Sequence, residues 1–153
     1  MNNPAPATSA QARIRARRSA VQALYQWEIC QSSMPEIIKE FCTDRSQELK
    51  KTDIDYFNEL SLGAVNKCDA LQAEISPCLE DRAYKDLDPV ERAILLIGVY
   101  ELMFHPELPW KIIVNESIEL AKMFGAEQSH KYINGVMDKL AHKIRSVEIA
   151  GIG

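Results

Sequence analysis

Apolar positions along this chain recur every three or four residues, the spacing of one helix face, and no segment alternates as a strand does. The pattern predicts a first helix from about Ala12 to Gln31. Met34-Pro35 opens a short second helix ending near Thr43, and polar residues 44–51 read as a loop. Thr52, with Asp55 three residues on, resembles a capping box with Asp in place of Glu. It opens a long helix through Ile54, Phe57, Ser61, Val65, Cys68, Leu71 and Ile75, which Pro77 ends or bends. Asp88-Pro89-x-Glu91 is a strong start signal: an N-cap, a proline in the first turn and an acid behind it. The run Ala93–Tyr100 that follows is apolar on every side. So short a run fits a strand too, but the cap favours a helix at the centre of the fold. Pro106 and Pro109 bracket a turn, and a helix runs from about Trp110 to Phe124 with Gly125 as its C′ residue. Ser129 is a candidate cap for a last helix ending near Ile144. The reading is all-α, six or seven helices in one bundle or two small ones, after a disordered lead over residues 1–11.

Composition narrows the class. At 153 residues, 46% apolar and 26% charged, the chain is one globular domain in size and not a disordered one. It has no run of 18 apolar residues, and its first dozen residues lack the charge and apolar stretch of a secretory signal. Cys30, Cys42, Cys68 and Cys78 form no C-x-x-C pair, so they are expected as reduced, buried packing groups in a cytosolic protein. Gly98 and Gly135 interrupt helices and are expected where neighbouring helices approach closely. The charge is unevenly placed. Residues 1–27 hold Arg13, Arg15, Arg17 and Arg18 and no acid, while the rest of the chain has 14 basic and 22 acidic residues. A positive arm on an acidic body points to a polyanion partner for the arm.

On a helical wheel, with Arg13 at the origin, Ala16, Ala20, Ala23, Leu24 and Trp27 fall together at roughly 280° to 20°. Arg15, Arg18, Gln22 and Tyr25 gather opposite them, at roughly 120° to 200°. Arg13 and Arg17 flank the apolar stripe and are expected to reach outward. Guanidinium forks bind phosphate oxygens, and a tyrosine ring can stack on an unpaired base. A solvated helix face remains the plainer alternative. Glu101, Glu116 and Glu119 are candidate acid–base carboxylates, but no nucleophile or histidine accompanies them. A helical di-metal site needs two Glu-x-x-His motifs, and only Glu127–His130 is present. No metal or cofactor is expected.

Four blocks, in order, carry a resemblance. They are Arg17-x-x-Ala20-Val21-Gln22-Ala23-Leu24-Tyr25, Glu91-x-Ala93-Ile94-Leu95, Val114-Asn115-Glu116-x-Ile118-Glu119-Leu120-Ala121-Lys122, and Lys131-Tyr132-Ile133-Asn134-Gly135-Val136-Met137-Asp138. Over about residues 13–145 the chain resembles the NusB family. The resemblance implies about seven helices in two packed three-helix subdomains, near 12–80 and 84–148 of one domain over 12–148. It implies a bacterial transcription antitermination factor, cytoplasmic and without catalysis or cofactor. Such a factor binds the boxA element of nascent ribosomal-operon RNA as a heterodimer with NusE, a ribosomal small-subunit protein. The complex joins other Nus factors and RNA polymerase. Some family members dimerise, so a homodimer is among the implied assemblies. The resemblance places Arg13, Arg15 and Arg17 on RNA, with Arg18 beside them, and Gln22 and Tyr25 on the same face near RNA and NusE. Glu91 matches a position at the NusE and RNA interface, and Phe124, Gln128 and Tyr132 match the second part of that surface.

Two positions depart from the pattern. Ile14 interrupts the arginine run, and Gln128 stands where relatives can carry an acid. Two other functions compete: a scaffold whose arginines meet an acidic protein, and the detached RNA-binding domain of a ribosomal RNA methyltransferase. The latter needs a cofactor domain, and this chain has no glycine-rich phosphate loop.

Overall fold

The computed structural model describes residues 9–151, so most of the expected N-terminal lead lies outside the described residues. Within them the chain is all-helical, with no strand. It divides into two compact units, one ending at Leu62 and the other beginning at Gly63.

The first unit opens with α1 (Ala10–Cys30), two residues earlier than the apolar pattern alone predicts. The start is set by Ser9, whose hydroxyl accepts from the N–H of Ala12 at 3.0 Å. Ser33 caps α2 (Met34–Asp44) in the same way, accepting from Glu36 N–H at 3.3 Å. α2 buries Met34, Ile37 and Phe41, one face of its cylinder. The cap of α3 (Ile54–Asn66) is Asp53 rather than Thr52: its Oδ1 accepts from Tyr56 N–H at 3.0 Å. Aspartate is the better N-cap, and it lies next to the first turn. The Asp53 N–H reaches Ala12 O at 3.1 Å, which ties the start of α3 to α1.

The long third helix of the sequence reading is two helices, α3 and α4 (Cys68–Ile75). The break is Lys67, at φ −110° and ψ 17°. Asn66 and Lys67 are exposed, so no core contact enforces helical geometry there, and Asn is a weak helix former. Pro77 lies in a 3₁₀ turn, Ser76–Cys78.

The second unit is organised by α5 (Pro89–Phe104), which packs against α4, α6 (Trp110–Phe124) and α7 (Ser129–Ile144). Every residue from Ala93 to Leu102 is buried. Gly98 permits the close approach: a Cβ there would lie 2.6 Å from Met137 Cε and 2.9 Å from Ser117 Oγ. Gly135 does not share this role, because it is exposed and a Cβ would meet nothing within 4 Å. Of the cysteines only Cys78 is buried; Cys68 is half-buried, and Cys30 and Cys42 are exposed. Cys42 follows Phe41 on α2 and so points off the buried face.

A short helix that the apolar pattern missed, α8 (Ser146–Gly151), follows directly on α7. Its position depends on Arg145, which is only 7% exposed. Arg145 Nε donates to Leu102 O, Nη1 to Leu108 O and Nη2 to His105 O, each at 2.9 Å. Nη2 also approaches Glu101 O at 3.5 Å, and Nη1 meets Glu148 Oε1 at 2.6 Å. One guanidinium therefore serves Leu102 O, which the end of α5 leaves without a helical donor, and adds a second donor to His105 O, which Leu108 N–H also reaches at 3.0 Å. Glu148 in turn accepts from Trp110 N–H at 3.3 Å, capping α6 where Pro109 offers no side-chain cap.

Replacing Arg145 by Met should lower the free energy of urea unfolding by about 2 kcal/mol, because Leu102 O and Leu108 O lose the guanidinium donor and Glu148 loses its charge partner. Arg145→Lys should recover little of this, since one ammonium cannot span the same fork. The Arg145 hydrogen bond, followed by the Trp110 N–H and the Arg145 charge, holds the Glu148 carboxyl below its ordinary 4.5 despite opposing desolvation. A lowered carboxyl stabilises the folded state above the ordinary value, and that stabilisation is lost as pH falls below it. The protection of α8 amides against exchange, taken relative to the intrinsic rate at each pH and measured by NMR, should therefore fall as pH drops below 4.5. Glu148→Gln should remove that pH dependence.

Candidate nucleic-acid interface

In the first unit, the outward side of α1 carries Arg15, exposed, Arg18 and Gln22, half-buried, and Tyr25, 43% exposed. Arg15, Arg18, Ser19 and Gln22 form one wall of an open cup of about 620 Å³. Arg45 and Glu48, from the turn after α2, form the other wall. The Arg45 guanidinium lies 4.5 Å from the centroid of the buried Phe41 ring. A flat cation stacked on a ring has a fixed plane, while the edges of its fork stay free to bind. Deeper along the hairpin, Gln26 Nε2 donates to Glu40 Oε2 at 3.2 Å and joins α1 to α2.

The other two arginines of the run face elsewhere. Arg17 is 4% exposed, contrary to the expected outward reach. Its wheel position, at roughly 40°, falls between Leu24 and Val21, inside the buried arc rather than beside it. Its guanidinium lies 5.7 Å from the Tyr56 ring centroid, and that of Arg13 lies 5.6 Å from the same ring. Arg13 is half-buried, with its Nε enclosed.

In the second unit, Glu91 is 6% exposed and both of its oxygens are engaged. Oε1 accepts from Arg82 Nη2 at 2.6 Å and from Asp88 N–H at 3.3 Å, the latter closing a capping box with Asp88. Oε2 accepts from the Ser129 hydroxyl at 2.9 Å. Ser129 is thus the first residue of α7 rather than its cap; the N-cap is Gln128, exposed and left-handed at φ 74°. Arg82 then lies 4.4 Å from the Tyr132 ring centroid. Burial, partly opposed by the Arg82 charge, raises the Tyr132 phenol above its ordinary 10.0, so it remains a neutral O–H at physiological pH. Phe124, the last residue of α6, is half-buried. Gly125 caps α6 with φ −84°, not left-handed; a Cβ there would lie 2.7 Å from Ala121 O, so lack of space is what selects glycine.

Sequence reasoning did not single out Arg45, Glu48 or Arg82. Arg45 had a usable signal, since it follows Phe41 by four residues. Arg82 had none, because its partner Glu91 is reached only through the fold. Among the acids weighed for catalysis, Glu119 pairs with Lys122 at 3.5 Å, and Glu101 is buried in α5. Among the described residues no group of three His, Cys, Asp or Glu is placed to hold a metal ion. No helix there is long and apolar enough to cross a membrane.

Comparison with known proteins gives one answer. The sequence profile of the NusB family matches residues 14–142. The transcription antitermination protein NusB of Histophilus somni is 48% identical over 129 residues, covering 84% of this chain and 89% of the relative. NusB from T. maritima superimposes with a TM-score of 0.74 at 27% identity, covering 94% of each chain. A chain from a crystal structure of the antitermination factors NusB and NusE with double-stranded RNA gives a TM-score of 0.76. At 24% identity, over 88% of this chain and 99% of that one, this last likeness speaks to the fold alone.

The Glu91 cluster yields a stability prediction. Glu91→Gln should lower unfolding free energy by about 2 kcal/mol, since Arg82 loses its charge partner but remains partly solvated. Ser129→Ala should cost about 1 kcal/mol. The double variant should lose less than the sum, because the two side chains share one hydrogen bond. Urea titration of the four proteins checks this.

Proposed function

The chain belongs to the NusB family, and from that we propose that it is a cytoplasmic, RNA-binding transcription antitermination factor without catalytic activity. In this reading it binds boxA RNA of ribosomal operons together with NusE, and the complex joins other Nus factors and RNA polymerase. The observation that carries the RNA assignment is the outward face of α1. Among the described residues, Arg15 and Arg18 have no ion-pair partner there, in a chain of net charge −4. Such a chain is a poor general binder of polyanions, so a local basic face, completed by a basic partner, is the physically sensible way to hold RNA.

Arg15 and Arg18 would contact phosphates, Gln22 would hydrogen-bond and Tyr25 would stack on an unpaired base or pack on NusE. Arg13 and Arg17 support this face from beneath: their cation–π contacts with Tyr56 help hold the start of α1. Phe124, Gln128 and Tyr132 form a second contact region on the second unit. Glu91 serves that region indirectly, by holding Arg82 over Tyr132 and by seating the first turn of α7.

Titration of fluorescent boxA RNA and a scrambled control, at several salt concentrations and with or without NusE, tests the reading. Binding should favour boxA and tighten with NusE. Arg15→Glu or Arg18→Glu should weaken binding and flatten the log–log salt slope by about 0.7 per lost phosphate contact. Arg17→Gln should lower stability and leave that slope unchanged. Equal binding to both RNAs would refute the assignment and favour a protein-binding scaffold.

A further inference from the structure

The cup in the first unit contains more than α1 supplies. Arg45 and Glu48 come from a different segment, yet they line the same space as Arg15, Arg18 and Gln22. Among the described residues neither Arg45 nor Glu48 is in an ion pair, although cation and carboxylate line one cup. Three cations left unneutralised around an open space are set for an anion. Phe41 holds the Arg45 plane in place, which lowers the entropy lost on binding.

Glu48 is the informative residue, because a carboxylate repels phosphate. Unpaired in a cup with three guanidinium groups, it is placed to accept from a donor on the same ligand. Nucleic-acid bases supply that donor: cytosine, adenine and guanine carry amino groups, which a carboxylate accepts from. Uracil has a single N3–H flanked by carbonyls that repel the carboxylate.

We propose that this cup seats one unpaired nucleotide of the bound RNA, with Arg15, Arg18 and Arg45 on its phosphate and Glu48 on the amino group of its base. The proposal rests on the RNA-binding reading above and adds to it a third cationic contact and a base-selecting acid. Gln22, on the wall between them, is placed to bind the sugar or a base edge.

The test uses the full chain and a set of fluorescent boxA-type RNAs, each changed at one position to uracil or from uracil to cytosine. Wild type, Arg45→Gln, Arg45→Lys and Glu48→Gln are titrated across salt, with Lys143→Gln on the second unit as a control. Arg45 and Glu48 are exposed, so thermal unfolding should match wild type and separate binding from folding. Arg45→Gln should flatten the salt slope by about 0.7, and Arg45→Lys should keep the slope but bind more weakly. Glu48→Gln should reduce discrimination at one RNA position by about fivefold or more, leaving the others unchanged. An unchanged slope in Arg45→Gln, or uniformly tighter binding by Glu48→Gln with discrimination intact, overturns the proposal. If wild type prefers boxA while the Arg45→Gln slope is unchanged, the cup fails and the wider reading stands. If wild type discriminates at that one position without favouring boxA over the scrambled control, and both cup variants behave as expected, the cup stands and the boxA reading fails. Free nucleoside monophosphates should not displace RNA below millimolar concentration; displacement at micromolar concentration would assign the cup to a free nucleotide instead.

Discussion

Glu91 sits in the first turn of α5 with a hydrogen bond to each side of its carboxylate. One oxygen takes Arg82 and the Asp88 N–H, and the other takes the Ser129 hydroxyl. A buried carboxylate is tolerable only when its lone pairs are filled, so these partners are requirements rather than ornaments. Filling them fixes where α5 begins, where the 79–86 segment lies and where α7 starts. The left-handed Gln128 and the Arg82–Tyr132 stack follow from the same anchor. The far end of α5 has a matching device of opposite sign, in which Arg145 collects its terminal carbonyls. An apolar helix such as α5 gains its stability by burial, but burial alone has no direction; these two charged groups give it ends and neighbours.

Besides the Arg82–Glu91 pair, arginine has three distinct uses in this chain, and what surrounds each guanidinium separates them. Arg145 is buried as a carbonyl clamp, and Arg92 does the same work before α5, donating to Lys85 O at 3.1 Å and to Leu87 O. Arg13 and Arg17 lie beside Tyr56, their guanidinium groups 5.6 and 5.7 Å from the ring centroid. Arg15, Arg18 and Arg45 surround open space. Only this last group keeps its binding capacity for something outside the protein. The identity of the residue does not distinguish these uses; the wheel position and the neighbouring segment do.

Most of the fold was legible from the sequence because its signals are local. Met34-Pro35 and Asp88-Pro89-x-Glu91 are start signals that act within one turn, and both helices begin there. The NusB family match likewise runs over residues 14–142, and the likeness to the T. maritima NusB fold covers 94% of this chain. What failed depended on distant residues or on small angular differences. The break at Lys67 leaves the three-and-four spacing intact, so periodicity runs straight through it. Ser129 resembled a cap because Ser commonly caps, but its hydroxyl is drawn to Glu91, 38 positions away. Arg17 looked like a flank of the apolar stripe, whereas the buried arc is wide enough to include it. The basic face of α1 was visible from a wheel; the second wall of the cup was not, because it comes from a turn that no helical wheel contains.

The most direct measurement is arginine side-chain NMR, following each Nε–Hε resonance while boxA RNA is added at fixed salt. We expect the signals of Arg15, Arg18 and Arg45 to shift in saturable fashion, and those of Arg17 and Arg145 to stay in place. Shifts of Arg17 and Arg145 as large as those of Arg15, or outward arginines that do not respond while RNA binds, would contradict the division between binding and structural arginines.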